Sequence, residues 1–248
     1  MSDAATVPPA PAPSSFVEDL IDIWFAPSAV FARRAKTGFL AIMCVVTLAI
    51  AGLFMANRNA MQPIMDGEYR RQMAEVMRQN PQMTEQQLAA GKKFAEKIQT
   101  FGIFFGIPIG LFLVGLGVWL TGKMLGAEEL GYGTSVMIAG WSYLPKVLES
   151  IGISVQALLI DTAALSGRFQ LTLGVGRFMD PDTSIGLLSL LGRVDLFTIW
   201  VSALAAIGIV TIGKLARGRI VPAALILWSF GAIPALWQLL MGALRGGA

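Results

Sequence analysis

Histidine is absent from the sequence. That removes the commonest metal ligand and the usual general base near neutral pH. Cysteine occurs once, as Cys44 in the middle of an apolar run, so an intrachain disulfide is impossible and thiol chemistry is disfavoured. Cys44 reads as a small residue packed in a helix. Charge is also scarce: 14% of residues are Asp, Glu, Lys or Arg, against about 25% in an ordinary soluble domain. The net charge of +3 is small and its basic residues are scattered through loops, so no nucleic-acid-binding stripe exists.

What fills the space is apolar. With 55% hydrophobic residues, the chain has too few charges to cover a water-facing surface, and hydrocarbon is the fitting solvent. The fold class that follows is an all-α membrane protein. Uncharged or nearly uncharged stretches of roughly 20 residues are long enough to cross a bilayer core as helices. They predict a five-helix transmembrane bundle with spans at about 38–56, 101–120, 133–165, 196–213 and 220–244.

Residues 1–14 are rich in Ala, Pro and Ser and read as a disordered tail without the basic region of a signal peptide. Residues 15–36 predict two short amphipathic helices on the cytoplasmic side. Ser15 and Glu18 have capping-box spacing, and Pro27 suits the first position of the second helix. The first helix either lies in the membrane interface with Trp24 at headgroup level or packs on the protein, and its acidic face favours packing. Between spans one and two, Asn57 to Gln99 predicts a polar helical hairpin divided at Asn80-Pro81, with a second capping box at Thr84 and Gln87.

Span two carries Gly102, Gly106 and Gly110, a small-xxx-small repeat that lets another helix approach closely. A contact within the bundle is the expected use, a dimer face the alternative. Pro108 predicts a kink. The third region is too long for one perpendicular span and contains Pro145, Lys146 and Glu149, so it is either a tilted, kinked helix or a re-entrant hairpin. Basic clusters at Arg33, Arg34 and Lys36 and at Lys214, Arg217 and Arg219 both lie inside only if five helices cross. That puts the N-terminus in the cytoplasm and the C-terminus outside.

Lys146 and Glu149 are the sharpest functional candidates, since they share a helix face and can pair inside the membrane. An internal salt bridge is one reading; a polar cavity shared with Asp161 or Asp195 is the other. Asp195 also suits the cap of the fourth span. Asp180-Pro181-Asp182 with Thr183 and Ser184 reads as a turn leading a short helix over 185–191, and two carboxylates fall far short of a calcium site. Gly174-Val175-Gly176 is too sparse for a phosphate cradle. No catalytic set, metal site or cofactor site emerges.

Three runs resemble the Yip family of membrane proteins. They are Asp22-Ile23-Trp24-Phe25-Ala26-Pro27 followed by Val30-Phe31, then Gly140-Trp141-Ser142-Tyr143-Leu144-Pro145, and Asp195-Leu196-Phe197-Thr198-Ile199-Trp200. The polar loop after span one and the basic turn at Lys214 to Arg219 look like the prokaryotic branch, which implies a bacterial inner-membrane location. The resemblance implies a Yip-like domain over 37–248, a cytosolic N-terminal region and action through the lipid bilayer, other membrane proteins or self-association. The longer acidic-aromatic segment of the relatives that interact with Ypt/Rab GTPases is missing here, which counts against GTPase binding. The expected function is a non-catalytic scaffold or adaptor. A small transporter or channel using Lys146 and Glu149 is the alternative.

Overall fold

A computed structural model describes residues 15–80, 82, 84–165, 167–180 and 183–246. The expected tail over 1–14 lies outside the described residues. Helices make up the chain, and no strand occurs among the described residues. In order they are α1 (Phe16–Asp22), α2 (Pro27–Arg34), α3 (Leu40–Ala56), α4 (Arg58–Gln79), α5 (Glu85–Met124), α6 (Tyr132–Ser142), α7 (Leu144–Leu159), α8 (Ile185–Leu191), α9 (Leu196–Ile212) and α10 (Ile220–Gly246). Short 3-10 turns at Thr162–Ala164, Arg168–Leu171 and Val175–Phe178 join α7 to α8.

Local chemistry sets most boundaries. The Ser15 hydroxyl accepts from the Glu18 amide while Glu18 accepts from the Ser15 amide, closing the box that starts α1. Thr84 and Gln87 do the same for α5. Pro27 opens α2 where its missing N–H costs nothing. From its box α5 runs 40 residues without a break, with Pro108 inside it. The polar limb and the second apolar run are thus one helix. Asp66 and Lys92, 3.0 Å apart, tie α4 to the start of α5.

Two stretches are long and apolar enough by themselves to cross a membrane, Phe101–Met124 within α5 and Arg217–Leu244 around α10. Two bent pairs raise the number to four if each is one span: α3 with the first turns of α4, bent by 80°, and α8 with α9, bent by 62°. By length and composition, two to four of the five expected spans are therefore accounted for. The difference lies in the third region, which is not one helix over 133–165. It breaks at Tyr143, because Pro145 has no N–H to donate and its ring crowds the carbonyl of Trp141.

Helix α6 is the hub. Every residue from Ser135 to Ser142 is buried. It packs against α5 on one side and α9 on another. Glycines permit the close approach: a Cβ on Gly115 would sit 2.7 Å from Val136 Cγ2, one on Gly208 would sit 2.7 Å from Ile138, and one on Gly140 would strike Ile42 of α3. The predicted glycines behave differently. Around Gly102, Gly106 and Gly110 a Cβ would meet nothing within 4 Å. No described helix packs there, which corrects the expected contact within the bundle. Close packing of α5 begins further along, at Gly115 and Gly122, where α6 and the turn before it lie. Cys44 is likewise exposed on the outside of α3, not packed within the bundle.

The N-terminal helices pack on the protein. Ile23, Val30 and Phe31 are fully buried. Phe16 meets Trp141 at 5.3 Å between ring centroids, and Trp24 meets Trp200 edge-on at 5.2 Å. The acidic face turns inward: Asp19 is fully buried and accepts from Arg33 Nε at 2.9 Å and from Arg34, while Asp22 takes the other arm of Arg33 at 2.6 Å. Burial opposes the Arg33 charge, but its hydrogen bonds to Asp19 and Asp22 outweigh that and hold its pKa above the ordinary value.

Candidate functional site

Lys146 lies on the first turn of α7, directly after the break at Tyr143. Its ammonium meets Glu149 Oε2, one turn on, at 2.6 Å. It donates to Thr198 Oγ1 at 2.8 Å and reaches Asp195 Oδ1 at 3.5 Å, both at the head of α9. The i,i+3 pairing expected from sequence is present, and the structure adds a bridge between two helices. Asp161, offered as another sharer, falls at the far end of α7 and is not a partner of Lys146.

Asp195 does two jobs. Its Oδ1 accepts from the Thr198 amide at 2.8 Å, which is the predicted N-cap of α9. The same oxygen faces Lys146. A helix N-terminus and an ammonium thus converge on one carboxylate. Its side chain is 1% exposed, against 12% for Glu149 and 23% for Lys146. The loop at Gly174 to Gly176 helps to cover it. The Val175 amide donates to the Val194 carbonyl at 3.2 Å, and a Cβ on Gly174 would lie 3.0 Å from Asp195 Cβ. That glycine pair is a lid for close backbone approach.

Sequence reasoning missed Arg193. Its guanidinium donates to the Trp228 carbonyl of α10 at 2.9 Å and lies over the Trp228 ring at 5.8 Å. The Trp228 indole donates back to the Arg193 carbonyl at 3.3 Å. Gly231, one turn along α10, leaves the room, since a Cβ there would collide with the guanidinium. Tyr143 carries its phenol within electrostatic reach of both Glu149 and Arg193. The signal was present in Arg193-Val194-Asp195, a cation and an anion two residues apart between apolar helices.

Two acids and two bases therefore meet where α7, α9 and α10 converge, and their formal charges cancel. Such a cluster can hold helices together or, if water enters, relay a proton or bind an ion. The cap on α9 and the head of α7 also coincide with two of the runs that resemble a known family. Comparison with protein families settles that point: the Yip1 domain model matches residues 21–238. The chain belongs to the Yip1 domain family. Curated proteins and solved structures yield no match.

As a Yip1 chain with helices able to span, it is a membrane protein. The match begins at Ile21, inside α1, so the N-terminal helices that grip Trp141 and Trp200 belong in part to the domain itself. Of the turn expected around Asp180, Pro181 and Asp182 lie outside the described residues. The helix it leads, Ile185–Leu191, is present, with Ser184 at the cap position but no side-chain hydrogen bond from it.

Proposed function

We propose that this Yip1 protein is a non-catalytic membrane scaffold or adaptor that organises lipid or partner proteins. It crosses the bacterial inner membrane five times, with its N-terminus in the cytoplasm and its C-terminus outside. One observation carries the reading: the charged side chains inside the bundle tie its helices to one another. Lys146 is closed by Glu149, Asp195 and Thr198, and Arg193 by the backbone and ring of Trp228. Side chains held this way fix helix geometry.

Five crossings are supported by register. From the turn before α6 and into α7, Ala127, Ile138 and Lys146 meet Gly213, Gly208 and Asp195 in turn. The chain moves steadily past α9 instead of doubling back, as one broken span would. The exposed basic turn at Lys214 to Arg219 then falls on the same side as the start of α6, in keeping with a cytoplasmic location.

A small transporter or channel is the second reading, favoured by one observation. Asp195 Oδ2 and Arg193 Nε are buried and meet no hydrogen-bond partner among the described residues. Reconstitution of the purified chain in liposomes separates the two. The scaffold reading expects no ion or proton flux above empty liposomes, together with reproducible cross-linked partners from native membranes. Flux that disappears on Glu149→Gln would replace it with the transporter.

A further inference from the structure

A cavity away from the Lys146 cluster has its own chemistry. It encloses about 250 Å³, many times the roughly 10–15 Å³ that one water needs. Helix α4 supplies Glu68 and Arg71, the 3-10 turn supplies Arg168 and Phe169, and Met179, Ile185 and Leu188 form an apolar wall. Glu68 is already engaged: it accepts from the Arg168 amide at 2.8 Å and lies 3.9 Å from the Arg168 guanidinium. Arg71 has no carboxylate partner among the described residues. Among the described lining residues one acid stands against two bases, a net positive balance.

The cavity's position gives the apolar end a meaning. Its walls α4 and α8 are the limbs that turn away from α3 and α9, at 80° and 62°. Bends of this size turn both limbs out of the direction of α3 and α9, toward headgroup depth if those two helices span. We infer that this cavity binds an anionic amphiphile, a phosphate-bearing head held by Arg71 and Arg168 with its alkyl chain against Phe169, Met179, Ile185 and Leu188. Arginine suits this because its planar fork can hold two oxygens of one phosphate at once. The apolar wall excludes free phosphate as the whole ligand, since it would gain nothing there. This inference does not rest on the scaffold reading.

The test uses the full chain in detergent, exchanged against phosphatidylglycerol or phosphatidylcholine, with retained lipid counted by native mass spectrometry. Phosphatidylglycerol is retained preferentially, and Arg71→Gln and Arg168→Gln each lower that retention about tenfold, the loss of one charge-assisted contact. Arg70→Gln, on the exposed neighbouring residue, leaves it unchanged. Arg168 is 58% exposed, so its variant folds even if Arg71→Gln does not. Equal retention of the two lipids, or an equal loss in all three variants, overturns the proposal by reducing the preference to diffuse surface charge. Inorganic phosphate that displaces the lipid completely at millimolar concentration would also overturn it, because the alkyl wall would then contribute nothing.

Discussion

Lys146 and Asp195 stand 49 residues apart in sequence and 3.5 Å apart in space, joining the first turn of α7 to the cap of α9. With Glu149 and Thr198 they form a closed polar knot in an apolar bundle. A buried pair of this kind adds little over an apolar replacement of both members. Breaking it by removing one member strands a charge.

Lys146→Met therefore destabilises the chain by about 3–5 kcal/mol, since Asp195 and Glu149 are left facing each other unpaired. The double variant Lys146→Met with Glu149→Leu recovers part of that loss. Thermal unfolding in detergent measures both, and additive losses would mean that the two residues do not act as a unit.

Asp19→Asn removes the negative charge that Arg33 and Arg34 share and turns one of its two acceptor oxygens into a donor. The expected cost is about 3 kcal/mol, because the partly buried Arg34 loses its counter-ion while Arg33 keeps Asp22. It is local: amide exchange rises across α1 and α2 while α5, α6 and α9 stay protected. A uniform rise over all helices would show that the N-terminal helices are not a separate clasp.

The glycines of α5 split into two classes. Gly115→Ala places a methyl 2.7 Å from Val136 Cγ2 and 2.9 Å from its Cα, and costs roughly 1–3 kcal/mol through overpacking. Gly106→Ala meets open space and leaves the melting temperature unchanged or slightly raised by helix propensity, worth up to about 1 kcal/mol. Equal effects at both positions would contradict the α5–α6 packing described here.

Gly231→Ala displaces the Arg193 guanidinium from its place over Trp228. The Trp228 emission spectrum shifts relative to a Trp228→Phe reference, because the cation and the hydrogen bond to its backbone are both disturbed. An unchanged spectrum would mean that Arg193 has another resting place.

Much of this was legible from residue order. Capping boxes at Ser15 and Thr84, the Pro27 start, the Pro145 break and the Asp195 cap all act within one or two turns, so local spacing reveals them. Lys146 and Glu149 pair because three residues bring side chains onto one helix face. The glycine face was misplaced because Gly102, Gly106 and Gly110 show the same spacing that close packing requires, and spacing says nothing about where a neighbour lies.

Residue order by itself determined the solvent, the helical class and most helix ends, since backbone hydrogen bonding and apolar length are properties of contiguous chain. Tertiary structure alone decided that Asp19 turns inward, that Lys146 closes on Asp195, that Arg193 lies over Trp228 and that Ser135 to Ser142 of α6 are buried. Each of those depends on which face of one helix meets which face of another. That choice is made by the summed packing of distant segments, and no local window contains it.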